Sequence, residues 1–440
     1  MVQWCIEGEQ PVKHRFRRLR TSRALPRTGS CPRHRSEQET PVPRRVAILG
    51  TRGYPSYYGG FETLVRTLAP YLADTGWDVS VYSRPGAIEL QDPARDHRIE
   101  SITTRGLDSQ SLSTLSFGAT SALSAIRRRP DVALVMNVAN GFWLPFLRAA
   151  RIPTVVNVDG IEWEREKWGA NAKRAFRVGA QLTASHATSL IFDSAGIADR
   201  WTTGFGRDGT TIAYGGTVPG ELDVPPGLQS GAYALLVSRF VPENTVEEFL
   251  DAAAIIAREH DVVLVGSSGY GGELDARAER LAAENSRVHW LGHVHDDQHL
   301  FALWRHAGAY FHGHSVGGTN PALVQAMACG APTVARDTVF NREVLGDHAI
   351  FVQPDVSAIA AAVTTLLRSR TVQRDLAAAA EARARRCYSW DSVCEQYDVL
   401  LRQHVARSDR WGRKDISGAS SVSISAPGRF DANLPTASGQ

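Results

Sequence analysis

Two glycine-rich turns, each running directly into a helix, are the parts of this 440-residue sequence best suited to chemistry. The first helix is indicated by apolar residues that recur three and four positions apart. The second helix is indicated by a proline in its first turn and a glycine just after its last residue. The start of a helix exposes backbone N–H groups at its positive end, and these bind anions. We therefore predict that both turns bind a phosphate or a sugar hydroxyl, although the first glycine pair also fits a plain tight turn. The residues concerned are Gly59 and Gly60 in the first turn, and Gly317, Gly318, Thr319 and Asn320 in the second.

A basic residue follows the apolar run YALLVS in the second half of the chain. Arg239 is predicted to lie at the carboxyl end of this strand, where a guanidinium can hold a diphosphate through two hydrogen bonds. The alternative is a salt bridge to Glu243 or Glu247. Together with the two glycine turns, Arg239 indicates a nucleotide diphosphate as ligand. His314, beside the second turn, is a candidate for contacts to sugar hydroxyls.

Acidic residues follow another predicted strand, in the segment VDGIEWEREKW. Asp159 and Glu162 are predicted to face the same edge as the strand ends, where a carboxylate orients or deprotonates an acceptor hydroxyl. Asp159 is also suited to cap the next helix. Trp163 and Trp168 have two interpretations, stacking on sugar rings or packing in the core.

Short β-branched runs alternate with helical patterns from Val46 onward, which predicts an α/β fold with parallel sheets. The series is interrupted by a Gly- and Pro-rich linker over 216–231 and then starts again. We predict two Rossmann-like domains, over 45–218 and 219–388, that face each other across a cleft. Ligands bind such sheets outside the carboxyl ends of the strands. The expected strands are 46–50, 78–83, 131–137, 154–158 and 189–193 in the first domain, and 233–240, 261–266, 287–292, 309–313 and 332–335 in the second.

Several classes of function are disfavoured by spacing. The glycines after the first strand do not form G-x-G-x-x-G, and Ser83-Arg84-Pro85 after the second supplies no acid, so hydride transfer with NAD is not expected. No P-loop motif occurs. His293, His295 and His299, with Asp296 and Asp297, resemble metal ligands, but Asp296 also fits a helix cap, and no metal is expected there.

Composition sets limits on the rest of the chain. Residues 1–44 are predicted to be a disordered basic leader, and 408–440 a disordered Ser- and Gly-rich tail. The five cysteines form no C-x-x-C pair, which indicates a reducing compartment, so a cytoplasmic location is expected. Helix 142–151 mixes aromatics with arginines, and two interpretations stay open, a core helix or a peripheral contact with the inner face of the membrane. A nucleic-acid partner is not expected.

Four segments together resemble the rhamnosyltransferase-like branch of glycosyltransferase family 4, and the resemblance covers about residues 45–407. They are LGTRGYPSYYGGFETLVRTLAPYL, VNVDGIEWEREKWG, LLVSRFVPENTVEEFL and HGHSVGGTNPALVQAMACGAPTVARDTVFNREVLGD. The resemblance implies the GT-B fold, with a C-terminal helix over 389–407 that crosses back to the first domain. It also implies transfer of a sugar, such as rhamnose, from a nucleotide-diphosphate donor to a polysaccharide or lipid-linked glycan, with retention and without metal or other cofactor. The lack of a D-x-D pair agrees with metal independence.

The resemblance also assigns residues. Gly59 and Gly60 match the glycine loop over the donor phosphates, and Arg239 matches the basic residue on the diphosphate. Asn244 stands where a second basic residue is common, and Glu343 matches a position near the donor. The Glu-x7-Glu pattern of the family falls on Gly317 and Gln325, of which Gln325 is expected to contact the nucleotide ribose. These departures leave a second interpretation open, a non-catalytic homologue that binds nucleotide-sugars.

Overall fold

The computed structural model describes residues 43–417, apart from 58, 89, 90, 94, 108–112, 166, 167 and 270. The predicted basic leader lies outside the described residues up to position 42, and the predicted tail lies outside them from position 418.

The first domain is built on a parallel sheet of seven strands in the order β3-β2-β1-β4-β5-β6-β7. Alternate residues of its central strand enter two separate apolar clusters, Val46 and Ile48 on one face and Ala47 and Leu49 on the other. Burial on both faces explains the continuous apolar runs of the sequence. The strands are Arg44–Leu49, Trp77–Ser83, Glu100–Thr103, Val132–Met136, Thr154–Asn157, Ser189–Phe192 and Thr210–Thr211. The helices are α1 (Gly60–Asp74), α2 (Ser113–Arg128), α3 (Leu144–Ala149), α4 (Ala170–His186) and α5 (Ala195–Phe205).

The second domain repeats this architecture with a parallel sheet of six strands in the order β10-β9-β8-β11-β12-β13. Its strands are Tyr233–Val237, Asp261–Val265, Val288–Gly292, Ala309–His312, Thr333–Arg336 and Ile350–Val352. Its helices are α6 (Val246–Ile256), α7 (Glu273–Glu284), α8 (Asp297–His306), α9 (Pro321–Ala328), α10 (Val339–Leu345), α11 (Val356–Leu367) and α12 (Arg370–Cys387). Two Rossmann-like domains with this connectivity confirm the predicted α/β class and the GT-B fold.

The strand order reverses direction once in each sheet. This switch point lies between β1 and β4 in the first domain and between β8 and β11 in the second. The two connections diverge there and leave a crevice at the carboxyl ends of the strands. β1 leads to Gly59 and Gly60, and β8 leads to Arg239, so the predicted ligand residues follow the switch-point strands.

A last helix, α13 (Trp390–Ser417), returns to the first domain as predicted. Val393, Tyr397 and Leu401 belong to the apolar cluster on one face of the first sheet. The Tyr397 hydroxyl accepts a hydrogen bond from the Asn157 side-chain amide at 2.7 Å. In the described part of the chain, α13 and the other helices are too short or too polar to cross a bilayer.

The structure differs from the sequence expectation at the edges of the elements. The short outer strands β3, β7 and β13 were not predicted, because two to four residues carry too little pattern. The predicted helix 142–151 is a 3₁₀ turn over Val138–Trp143 followed by α3. α13 runs to Ser417, beyond the predicted end at 407.

Candidate active site

The glycine turn (residues 315–320) connects β11 to α9. Asn320 caps α9, and its side-chain oxygen accepts hydrogen bonds from the backbone N–H groups of Ala322 and Leu323 at 2.9 and 3.4 Å. Gly317 has a φ of +111°, a conformation that favours glycine. This geometry turns the chain from the strand into the helix, and the Asn320 side chain satisfies the first N–H groups of α9.

The glycine turn contacts the first domain at Asp193, which follows β6. The Thr319 hydroxyl donates a hydrogen bond to the Asp193 carbonyl oxygen. A β-carbon built on Gly318 would lie 1.7 Å from the Asp193 Oδ1 atom, so only glycine fits this approach. The turn is therefore held between the two domains.

The first glycine pair faces the second helix start. α1 begins at Gly60, preceded by Gly59 in extended conformation. A β-carbon built on Gly60 would lie 3.0 Å from Cγ of Pro321, the first residue of α9. The starts of α1 and α9, predicted separately as anion sites, thus lie beside each other across the cleft.

Arg239 follows β8 with an exposed side chain. The alternative interpretation, a salt bridge to Glu243 or Glu247, is not found among the described residues, because Glu247 pairs with Arg277 at 2.9 Å instead. Asn244 is buried, and its amide donates a hydrogen bond to the Arg239 carbonyl oxygen at 2.8 Å. Asn244 therefore braces the loop of Arg239, and the guanidinium is free for a ligand.

The carboxylates predicted as catalytic differ in their contacts. Glu162 is buried, and its two oxygens contact Arg165 Nε at 2.7 Å and Trp168 Nε1 at 2.8 Å. The Asp159 carboxylate is half-buried and makes no hydrogen bond to a described residue, while its backbone N–H bonds to Asn157. The N-cap position is Ile161 in the next 3₁₀ turn and Gly169 in the next α-helix, so the interpretation of Asp159 as a helix cap is wrong. The geometry favours Asp159 over Glu162 for contact with an acceptor.

The charges of four carboxylates act on the buried guanidinium of Arg165, and we call these five residues the acidic centre. Burial opposes the charged form, but the neighbouring carboxylates outweigh it and raise the pKa of Arg165. Burial raises the pKa of Asp193 well above its usual range, and the charge of Asp159 raises it further. The members of the acidic centre are Glu162, Asp159, Glu243 and Asp193 around Arg165.

Two further predicted donor residues bridge the domains. Glu343 accepts hydrogen bonds from the backbone N–H groups of Ala195 and Gly196 at 2.6 and 3.1 Å, at the start of α5. The Gln325 amide accepts a hydrogen bond from Thr217 N at 2.9 Å and donates one to Thr217 O at 2.7 Å. The amide of Gln325 is thus used by the interdomain linker, and its contact to a ribose stays a prediction.

The ring of His314 stacks on that of His312, with centroids 5.0 Å apart. His312 is buried at the end of β11, where burial lowers its pKa to about 3. Its Nδ1 atom lies 3.0 Å from the Tyr310 hydroxyl. His312 therefore supports His314 as a neutral ring.

Replacing His312 should change the pH dependence of stability. A histidine whose pKa is depressed on folding stabilises the protein above its unfolded pKa of about 6.5, and this contribution is lost as pH falls toward about 3. Between pH 7.5 and pH 5 we expect His312→Gln to reduce the loss of unfolding free energy by about 2 kcal/mol, measured by urea denaturation. His295→Gln, at an exposed position, is the control and should leave the loss unchanged. An equal loss in His312→Gln and wild type would contradict the assignment.

The remaining candidates have structural roles. Trp163 is half-buried and packs edge-on against Phe205 at 5.7 Å and Trp201 at 6.4 Å, at the edge of the core of the first domain. Asp296 caps α8 by accepting a hydrogen bond from Gln298 N at 2.9 Å, as one interpretation predicted. Among the described residues, no group of three His, Cys, Asp or Glu side chains is arranged to hold a metal ion.

Three residues of the acidic centre were missed as site residues by sequence reasoning. Asp193 carried a usable signal, a carboxylate directly after a strand. Arg165 had none, because it stands among alternating charges in a polar segment. Glu243 was considered only as a partner of Arg239.

Comparison with known families gives two matches that follow each other along the chain. Residues 59–214 match the model described as "Glycosyl transferase 4-like domain". Residues 231–369 match the model described as "Glycosyl transferases group 1". The boundary between the two matches falls in the linker between the two sheets.

Two curated relatives are mannosyltransferases. The chain is 27% identical over 172 residues to O-antigen chain mannosyltransferase B of Escherichia coli, covering 37% of this chain and 44% of that protein. It is 32% identical over 211 residues to phosphatidyl-myo-inositol mannosyltransferase of Mycobacterium leprae, covering 46% of this chain and 55% of that protein. The matched region spans about half the length of these relatives.

Solved structures share the fold over most of the chain. Sucrose-phosphate synthase from Thermosynechococcus elongatus has a TM-score of 0.69 at 20% identity, covering 83% of this chain and 100% of that one. HepE of Anabaena in complex with UDP-glucose has a TM-score of 0.64 at 19% identity, covering 82% and 99%. WaaG, described as a glycosyltransferase involved in lipopolysaccharide biosynthesis, has a TM-score of 0.62 at 15% identity, covering 81% and 99%. Two consecutive segments of the chain are thus similar to glycosyltransferase domains, and they lie in a GT-B fold that these solved structures share.

Proposed function

We propose that this chain is a retaining, metal-independent glycosyltransferase that moves a sugar from a nucleotide-diphosphate donor to a glycan or lipid-linked acceptor. The observation that carries the proposal is the meeting of two helix starts, at Gly60 and Pro321, between the switch-point edges of the two sheets. Arg239, exposed and without an ion pair to a described residue, follows the strand beside β11. This edge is suited to a diphosphate.

The chemistry needs no metal ion in this proposal. Negative charge grows on the diphosphate as the bond to the sugar breaks. A guanidinium and backbone N–H groups fixed at helix starts stabilise that charge without reorganising, and they take the place of a divalent cation. We assign this role to Arg239 and the N–H groups that begin α1, because the first N–H groups of α9 are already bonded to Asn320.

Acceptor activation is assigned to Asp159. Its carboxylate lies at the carboxyl end of β5, on the first domain, and is not engaged by a described side chain. A carboxylate so placed orients the acceptor hydroxyl and takes its proton as the new glycosidic bond forms. Glu162 is assigned instead to holding Arg165, since both of its oxygens are already engaged.

We base our proposals for the donor sugar and the acceptor on the names of the relatives. Both curated relatives are named as mannosyltransferases, and the sequence motifs resemble a rhamnosyltransferase-like branch, so we propose a hexose of the mannose or rhamnose type. The relatives' names mention an O-antigen chain and a phosphatidyl-myo-inositol. We propose an acceptor of the same kind, a growing cell-envelope glycan or its lipid-linked precursor.

A lipid-linked acceptor requires access to a membrane surface, and the first domain offers a candidate face. Phe146 on α3 and Val178 on α4 are large apolar side chains that are 57% and 43% exposed. Exposed Arg148, Arg151 and Arg177 lie on or next to the same helices. Apolar groups beside arginines suit the surface of an anionic bilayer. We propose this face as a peripheral contact.

A screen of nucleotide-sugars tests the proposal. A donor that binds only the folded state at 100 times its Kd adds about 2.7 kcal/mol to the unfolding free energy, so it should raise the melting temperature. The best donor should then be turned over with retained anomeric configuration, followed by NMR, and at the same rate in EDTA. Rescue of an EDTA-inactivated enzyme by manganese, or an inverted product, would contradict the mechanism.

A non-catalytic nucleotide-sugar-binding protein is the second candidate. It is favoured by the amides of Gln325 and Asn244, which both bond to backbone groups in the structure. Donor binding in the screen without turnover of any acceptor would support this candidate over the enzyme.

A further inference from the structure

A buried carboxylate without a hydrogen bond lies beside the glycine turn. Glu243 is 4% exposed, and neither of its side-chain oxygens has a hydrogen-bond partner among the described residues. Leaving a buried charged group without hydrogen bonds is unfavourable unless a charge or a ligand compensates it. Glu243 therefore requires an explanation that its own domain does not supply.

The position of Glu243 is fixed by the glycine turn. Its carbonyl oxygen accepts hydrogen bonds from the backbone N–H and the hydroxyl of Ser315, at 2.9 and 2.8 Å. The next residue, Asn244, holds the loop of Arg239. Glu243 thus lies between the residue assigned to the diphosphate and the turn that leads into α9.

One charge that acts on Glu243 comes from the first domain. The negative charge of Glu243 helps to raise the pKa of Arg165. The guanidinium of Arg165 lies 3.9 Å from a β-carbon built on Gly317. Arg165 is already paired with Glu162 at 2.7 Å, with Asp159 and Asp193 close by. Burial favours the neutral form of Asp193, but one guanidinium still meets the carboxylates of Glu162, Asp159 and Glu243, which leaves the acidic centre with an excess of acceptors. Such a site repels phosphate and suits a neutral ligand rich in hydroxyl donors.

We propose that the Glu243 carboxylate binds hydroxyl groups of the donor sugar and thereby supplies the acid that Gly317 lacks in the glycine turn. This inference rests on the proposed function and adds the residue that contacts the donor sugar. The diphosphate lies at Arg239 and the start of α1, and the sugar lies in the acidic centre. Two free oxygens on one carboxylate accept from two neighbouring hydroxyls. The donor sugar is therefore a neutral hexose, and a uronic acid is excluded by repulsion.

Calorimetric titration separates the sugar from the nucleotide. UDP, UDP-glucose, UDP-glucuronate, GDP and GDP-mannose are titrated into wild type, Glu243→Gln and Glu243→Asp. We expect Glu243→Gln to weaken the binding of the sugar conjugate of the preferred nucleotide about 10- to 100-fold, because a charge-assisted acceptor is lost. The affinity for the free diphosphate should stay within about twofold, and wild type should prefer UDP-glucose over UDP-glucuronate. Glu243→Asp keeps the negative charge, but its shorter side chain moves the carboxylate away from the sugar. This variant should show the same selective loss of affinity for the sugar conjugate.

Glu247→Gln is the matched control, because Glu247 is an exposed carboxylate of α6 that pairs with Arg277 at 2.9 Å. This variant should leave all affinities unchanged. Thermal melting of each variant checks that it folds. Unchanged affinity for the sugar conjugate in both Glu243 variants would overturn the inference and leave the proposed function standing. An equal loss for free diphosphate and conjugate would also overturn it, because Glu243 would then act only as a counter-charge to Arg165. Failure of wild type to bind any of these nucleotides, and dTDP as well, would overturn the proposed function itself, and this inference with it.

Discussion

Arg239→Ala should weaken the binding of free nucleotide diphosphates about 10- to 100-fold, measured by titration calorimetry with UDP, GDP and dTDP. The guanidinium follows β8 at the switch point of the second sheet, and it is exposed without an ion pair to a described residue. A charge-assisted bidentate hydrogen bond to a phosphate contributes more than a neutral one. Removal of the side chain should cost affinity without costing stability, since an exposed substitution changes the unfolding free energy by about 0.5 kcal/mol or less.

Arg368→Ala is the control for this prediction. Arg368 is an exposed arginine of the same domain and pairs with Glu259 at 2.6 Å. Its loss removes the same net charge from the domain but should leave nucleotide affinity unchanged. Equal affinities of wild type and Arg239→Ala would remove the diphosphate from this edge of the sheet.

Arg165→Met should lower the unfolding free energy by about 3–5 kcal/mol in urea denaturation at neutral pH. The side chain of Arg165 is 11% exposed and that of its partner Glu162 is 6% exposed. Methionine fills a similar volume but leaves Glu162 buried as an unpaired charge. The other carboxylates of the acidic centre would lose their counter-charge as well.

Arg200→Met is the matched control, because Arg200 pairs with Glu164 at the same distance of 2.7 Å on the surface, where the side chains are 55% and 42% exposed. An exposed pair contributes about 0–1 kcal/mol, so the control should show a small loss. A loss in Arg165→Met no larger than in Arg200→Met would show that Arg165 does not compensate the acidic centre. The double variant Arg165→Met/Glu162→Met should recover part of the stability, since both charges are removed together.

Local patterns explain why the helix starts after the two glycine turns were predicted at the right positions. A glycine pair before a helix and an asparagine before a proline are signals that depend on only a few neighbouring residues. The reason is that a helix cap bonds to N–H groups two or three positions further along the chain. The two turns begin α1 and α9 as expected. What they bind stays a prediction.

Partners far apart in the chain explain where sequence reasoning was incomplete. Glu343 bonds to Ala195, which is 148 residues away, and Gln325 bonds to Thr217, which is 108 residues away. Both were expected to face the donor. A carboxylate or amide has the same appearance in the sequence whether it binds a ligand or caps a helix of another domain.

The sequence by itself determined the α/β class, the two parallel sheets and the helix starts that follow their switch-point strands, because strand alternation and helix caps depend on neighbours along the chain. The tertiary structure alone decided that Arg165 and Glu162 form a buried pair, that Asp193 lies against Gly318, and that Glu243 is left without a hydrogen bond. The physical reason is that the energy of a charge depends on its burial and on the charges near it in space. For these residues, both the burial of the charge and the charges near it depend on how the two domains pack together.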